Sequence, residues 1–233
     1  MNIRIAKHFT YADALDKRLF SFINLASIEE LFKSGQDSPL IYFCDGILMS
    51  KILSVFTKEK IERVSFDFSS IANEVFTFCE LNKKKVYFVG AKNSELVNFI
   101  SKIKLRYPNL KIVGYYNGYF EESNICHLKN DIISQETDYL IVGLGAGKQE
   151  KFILEFKDEM YPLLAFSCGG FIRQESNSSK TYYPKLIDKF NLRAFYRMYK
   201  EPHTIKRYII SYPTNLLRLI YLIKTKKIKF EVV

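Results

Sequence analysis

The chain has 233 residues, 48% of them apolar and 15% aromatic, which excludes intrinsic disorder and suits one domain, or one domain with a small appendage. Its formal charge of +10 is not spread evenly: residues 1–179 carry 22 basic and 22 acidic side chains, whereas residues 180–233 carry 13 and 3. A neutral body with a basic end excludes a generally basic protein and places any anionic partner at that end.

The first residues, MNIRIAKHFTYADALDKRLF, scatter charge and lack an apolar core segment, so they do not read as a signal peptide. Beyond them, apolar runs alternate with helix-period segments. Strands are predicted at Leu40–Cys44, Lys85–Val89, Lys111–Gly114, Tyr139–Val142 and Leu163–Phe166. Helices are predicted at Ser27–Lys33, Ser69–Leu81, Ser94–Tyr107 and Lys148–Asp158, with Ser69 and Ser94 as N-caps. Continuous apolar strands separated by helices imply βαβ units and an α/β body, residues 1–179, with a mostly parallel sheet covered by helices on both faces. The polar stretch Gln174–Tyr183 is expected to be a loop or the boundary of a helical basic appendage, residues 180–233. A body ending near residue 190 is therefore expected to fold by itself.

In such a sheet ligands sit beyond the C-terminal strand ends, so the turns there are the places to look for chemistry. Cys44-Asp45-Gly46 puts a carboxylate at a strand end beside a glycine, although an Asp-Gly pair also makes a plain turn readily. Asn117-Gly118-Tyr119-Phe120 offers a turn with two aromatics, which either pack in the core or stack on a flat ligand. The sharpest feature is YLIV-GLGAG-KQEKFI, where Gly143, Gly145 and Gly147 precede a helix start carrying Lys148. Close backbone approach and free N–H groups suit a diphosphate there, and tight packing of the turn explains the same spacing equally well. The loop lacks the ending of a Walker A motif. Its glycines are too closely spaced for a dinucleotide fingerprint, and no acidic strand end follows about 20 residues on, so a nicotinamide enzyme is disfavoured.

Cys44, Cys79, Cys126 and Cys168 form no CxxC pair and read as reduced thiols of the cytoplasm. His8, His127 and His203 share no ligand spacing, so no metal is expected. No apolar run reaches the roughly 18 residues of a spanning helix. In the basic end, Arg193, Arg197 and Lys200 share one helix face while Phe195, Met198 and Tyr199 take another. Leu216, Leu217, Leu219, Ile220 and Ile223 then lead into Lys224, Lys226, Lys227 and Lys229, a composition that suits the surface of an anionic membrane. No nucleic-acid-binding pattern accompanies it.

Taken together the segments resemble the WecG/TagA/CpsF family of bacterial glycosyltransferases over most of the chain. The resemblance rests on Asp45-Gly46, on Glu62-Arg63-Val64 with Asp67, and on Phe88-Val89-Gly90. It continues through Tyr107-Pro108-Asn109-Leu110, Val113-Gly114, Gly118-Tyr119-Phe120 and Val142–Ile153, and ends in Tyr196-Arg197, Glu201-Pro202 and Arg207-Tyr208. It implies a Rossmann-like α/β enzyme, an inverting, metal-independent transferase without a cofactor, moving a hexose or N-acetylhexosamine-type sugar from a UDP-sugar to a polyprenyl-diphosphate-linked acceptor. The pathway would be that of a surface polysaccharide, such as capsule or exopolysaccharide, or of a cell-wall polymer such as teichoic acid. The protein would sit on the inner face of the cell membrane, with the C-terminal segment touching the membrane and completing the site.

On this resemblance Asp45 is the base, and Arg197 and Arg207 neutralise the leaving diphosphate. Asn24, Gly46, Gly118, Tyr119, Gly143, Gly145, Gly147, Lys148, Gln149 and Glu150 form the donor site. The chain departs from the family at Gly147 and Phe152, where Pro and Trp are usual, and at Ile172, which replaces an aspartate. Arg193-Ala194 replaces Glu-Trp, Thr204 replaces an arginine, and Phe22-Ile23-Asn24 lacks a threonine. A membrane-associated nucleotide-sugar-binding protein without catalysis is the alternative reading, and a site completed within a homo-oligomer stays open.

Overall fold

The computed structural model describes residues 1–10, 18–34, 38–178, 187 and 192–233. Among them eight strands form one sheet: β1 (Asn2–Ile5), β2 (Arg18–Ile23), β3 (Ile41–Cys44), β4 (Lys85–Gly90), β5 (Lys111–Tyr116), β6 (Tyr139–Gly143), β7 (Leu164–Ser167) and β8 (Lys229–Val232). Their order is β5-β4-β6-β7-β2-β3-β1-β8 and every neighbouring pair is parallel. The predicted strands correspond to β3 through β7. β3, β4, β6 and β7 are readable because strands buried on both faces carry uninterrupted apolar side chains, whereas β5 is a half-buried edge strand.

Alternate residues of each strand serve the two faces. Phe20, Phe22, Ile41, Phe43, Val86, Phe88, Tyr139, Ile141 and Phe166 enter one core, with α3 (Ala72–Leu81), α4 (Asn93–Arg106) and α7 (Phe171–Asn177). Leu19, Ile23, Tyr42, Cys44, Tyr87, Val89, Leu140 and Val142 enter the other. That second core is closed by α1 (Ile28–Ser34), α2 (Ile47–Thr57), α5 (Ile125–Ser134) and α6 (Lys148–Leu154). The α/β architecture with both faces covered is therefore as expected.

The basic end differs from the expectation. It is helical, with α8 (Arg193–Lys200) and α9 (Tyr212–Lys224), but it does not stand apart from the sheet. Leu219 of α9 is buried in the second core, and the buried Asn215 amide donates to the Leu25 carbonyl at 2.8 Å. β8 then pairs with β1 in register from Asn2 opposite Lys229 to Ile5 opposite Val232. The chain's two ends thus make the sheet's outer strands together. The expected boundary at residue 179, and residues 179–183 of the polar stretch, lie outside the described residues; its first part, through Asn177, is helical in α7.

Candidate active site

The chain leaves the neighbouring strands β2 and β7 towards opposite faces of the sheet, α1 after β2 packing in the second core and α7 after β7 in the first. Such a switch point opens a crevice beyond the strand ends. A cleft of about 1060 Å³ lies there, lined from the ends of β2, β3 and β7, by Arg63–Ser69, and by the segment from Arg193 to Tyr212. That volume is at the upper end for ligand sites and has room for more than a nucleoside diphosphate.

Asp45 follows β3 directly. Its backbone N–H donates to the Ile23 carbonyl at 2.8 Å, and Gly46 turns the chain into α2 with φ +124°, a conformation open to glycine. The Asp45 carboxylate faces Arg63 Nη2 at 3.9 Å and accepts from Asn24 Nδ2 at 3.4 Å. Asn24 is itself fixed, because its Oδ1 accepts from the N–H groups of Ala26 and Ser27 at 2.9 and 3.0 Å at the start of α1. Burial pushes the Asp45 carboxyl above its ordinary value, and the Asp67 charge pushes the same way. Arg63, Arg197 and the Asn24 amide pull it down without cancelling the rise.

Arginines approach from both the body and the C-terminal segment. Arg207 Nη2 donates to Asn24 Oδ1 at 3.3 Å, while its Nε is buried with no hydrogen-bond acceptor among the described residues. Arg197 lies 3.8 Å from Glu201, which also accepts from Arg173 at 2.7 Å and Gln174 at 3.2 Å. Arg193 Nη1 donates to Asp67 at 3.0 Å, and Ser65 Oγ links Asp67 at 2.7 Å to Arg63 at 2.6 Å.

Of the sequence-predicted residues, Asp45, Asn24, Gly46, Gly145, Gln149, Arg197 and Arg207 line the cleft. Gly118, Tyr119, Gly143, Gly147, Lys148 and Glu150 do not. Gly118 packs against the backbone of Gly90 and Ala91 with no space for a Cβ, and Tyr119 and Lys148 are exposed. Gly143 meets the Gly169 carbonyl. Glu150 ties the glycine turn down: it accepts from the Gly147 N–H at 2.6 Å and from Ser21 Oγ at 2.5 Å. Gln149 Oε1 accepts from the Gly169 N–H at 3.2 Å, joining that turn to the one after β7.

The carboxylate of Glu30 lies against Gly147, so a negative group faces the turn expected to cradle phosphate, while Arg63, Arg193, Arg197 and Arg207 line the cleft elsewhere. The sequence reading did not place Glu30, Arg63, Ser65, Asp67, Arg193 or Gly169-Gly170 in the site. Arg63 and Asp67 belong to a stretch that carries the family resemblance, Arg193 shares a helix face with Arg197, and Gly169-Gly170 is a glycine pair following an apolar strand; Glu30 and Ser65 gave no signal. Among the described residues no three His, Cys, Asp or Glu side chains gather as a metal-binding group, and no helix is long and apolar enough to cross a membrane.

The profile of the glycosyl transferase WecG/TagA/CpsF family matches residues 21–229. The chain is 33% identical over 201 residues to a UDP-Gal:alpha-D-GlcNAc-diphosphoundecaprenol beta-1,4-galactosyltransferase of Shigella boydii, covering 86% of this chain and 84% of that one. It is 30% identical over 234 residues to an N-acetylglucosaminyldiphosphoundecaprenol N-acetyl-beta-D-mannosaminyltransferase of Bacillus subtilis, covering 96% and 86%. A protein of the same name from Bacillus spizizenii is 26% identical over 216 residues, covering 88% and 81%. A parallel sheet with a cleft lined by Asp45, Asp67 and several arginines, in a chain matched by one family's profile over residues 21–229, identifies the chain as a glycosyltransferase of the WecG/TagA/CpsF family.

Proposed function

We propose that the protein transfers a hexose or N-acetylhexosamine-type sugar from a UDP-sugar to a polyprenyl-diphosphate-linked acceptor, with inversion, at the surface of an anionic membrane. The observation that carries this reading is the position of Asp45, which lines the cleft beside Arg63 of the body and Arg197 of the C-terminal segment. The acceptor hydroxyl oxygen attacks the anomeric carbon, its proton passes to the Asp45 carboxylate, and the bond to the β-phosphate oxygen breaks with its electrons leaving on UDP. One displacement inverts the anomeric centre. A carboxylate with a raised proton affinity is a better base near neutral pH than an ordinary one. Arg197 and Arg207 meet the charge that develops on the diphosphate, and the buried Nε–H of Arg207 supplies a donor for one of its oxygens.

The tail supports the lipid side of the reading. α8 turns Arg193 and Arg197 into the cleft and leaves Phe195 and Tyr199 exposed, the reverse of an ordinary surface helix. Ile209, Ile210, Leu217 and Tyr221 continue the exposed apolar band towards the terminal lysines. Such a band suits a headgroup region, where each lysine contributes on the order of 1 kcal/mol. The relatives named for undecaprenyl-diphosphate acceptors favour the same substrate class.

The test is UDP release from a panel of UDP-sugars with a synthetic N-acetylglucosaminyl-diphosphate lipid, with and without EDTA. Turnover that survives EDTA and is lost in Asp45→Asn is the expected result. Binding of UDP-sugars by calorimetry with no turnover on any lipid-linked acceptor would instead establish the non-catalytic alternative.

A further inference from the structure

The body and the C-terminal segment meet at one run of side chains that the transfer reaction as described does not use. Asp67 lies just before α3 and is fixed there, its Oδ1 accepting from the Ser69 N–H at 2.9 Å and from the Ser69 hydroxyl. Its Oδ2 faces two guanidiniums: Arg193 Nη1 of α8 at 3.0 Å and Arg63 Nη2 at 3.7 Å. Arg193 also donates to the Ser69 hydroxyl through its other terminal nitrogen. Arg63 is held beside the end of β3 by a backbone bridge to Cys44, so the same Nη2 is 3.9 Å from Asp45 Oδ1. One guanidinium nitrogen therefore stands between two carboxylates at nearly equal distances.

We propose that Arg193 is a positioning residue of the transfer site: by clasping Asp67 and Ser69 it docks α8 on the body and leaves Arg63 disposed towards Asp45. The inference rests on Asp45 as the base. Three facts support it. The side chains of Arg63, Asp67 and Arg193 are 20%, 16% and 18% exposed, so water screens them less than it would a surface pair. Arg193 neutralises the competitor for Arg63; without it, Asp67 would draw Arg63 away and act on Asp45 as an uncompensated negative charge. Arg193 also lies one helical turn before Arg197, so fixing the first fixes the side on which the second enters the cleft. The groups facing Asp45 are Arg63 and Asp67 from the segment before α3, Asn24 from the end of β2, Arg197 from α8, and Tyr212 at the start of α9. Removing Arg193 frees the Asp67 charge and its pull on Arg63, and both changes favour tighter proton binding at Asp45.

The experiment is the pH dependence of kcat/KM for wild type, Arg193→Ala, Asp67→Asn and the double variant, with thermal melts to confirm folding. In Arg193→Ala the acid limb is expected to move up by about one unit, which lowers the rate about tenfold on the acid side and leaves the plateau comparatively spared. Asp67→Asn alone should move the limb down, and the double variant should place it between those of the two single variants. Should Arg193→Ala fail to fold, Arg193→Lys keeps the charge but not the two-pronged grip, and the same upward shift, smaller, is expected. A loss by the same factor at every pH, or a double variant whose limb stays where Arg193→Ala put it, would overturn the inference. Turnover retained by Asp45→Asn would overturn the base assignment instead, so the two failures are told apart.

Discussion

Leu219 is the residue at which an appendage laid beside a domain and a segment built into its core make opposite predictions. Its side chain is 0% exposed and belongs to the cluster that contains Ile3, Ile5, Leu53 and Ile228. Replacing a buried leucine by alanine costs about 2–5 kcal/mol, and the value depends on how far the surroundings collapse. The opposite side of α9 is open, with Leu217 70% exposed, so the helix can settle inwards and the lower part of that range, about 2–3 kcal/mol, applies. For a chain of this size that lowers Tm by about 4–12 °C. Leu217→Ala is the matched control and should stay within about 0.5 kcal/mol. Circular dichroism melts read both variants, with tyrosine absorbance as a second probe because the chain has no tryptophan. Equal melts for the two variants, or an early separate transition with the main one unmoved, would show that α9 lies outside the cooperative core.

The remaining predictions concern the site and its rim. The native Asp45 carboxyl holds its proton above the ordinary value of 3.8, so between 3.8 and the native value the folded state binds more protons than the unfolded one, and stability falls as pH rises across that window. Asp45→Asn should therefore raise Tm at pH 7 while abolishing transfer, and the gain should vanish below pH 3.8; a variant less stable than wild type at pH 7 contradicts this. Gly147 has φ +85°, and a Cβ there would lie 3.1 Å from Glu30 Oε2, so Gly147→Ala should cost about 1–2 kcal/mol, read from urea midpoints. Phe195→Ser with Tyr199→Ser should reduce co-sedimentation with anionic vesicles without lowering Tm, since both side chains are exposed; unchanged sedimentation would remove α8 from the membrane contact.

Four of the five strands that could be read from the sequence, β3, β4, β6 and β7, keep their apolar runs because both faces are covered; the fifth, β5, is a half-buried edge strand. β2 was missed because Arg18 and Ser21 interrupt its run. Ser21 is tolerated in the core only because Ser167 and Glu150 satisfy its hydroxyl, and both lie more than 100 residues away in sequence. β1 and β8 are four-residue outer strands whose signal depends on each other. α2 was missed for a different reason. Leu48, Val55 and Phe56 are exposed beside the buried Met49 and Leu53, so its apolar pattern has no clean helical stripe.

The same division holds for the site. Sequence alone determined the class of fold, the Asp45-Gly46 turn at a strand end, the concentration of positive charge beyond residue 180, and the spacing that puts Arg193 and Arg197 on one helix face. These are properties of a single element, expressed in residue type and period. Tertiary structure decided that the glycine turn faces Glu30, that Glu150 serves as its anchor, that Arg63 stands between Asp45 and Asp67, and that Arg193 reaches Asp67 from α8. Electrostatic effects depend on distance and burial, and here they are set where α8 crosses strand ends well over 100 residues earlier in the chain. No local pattern encodes that crossing.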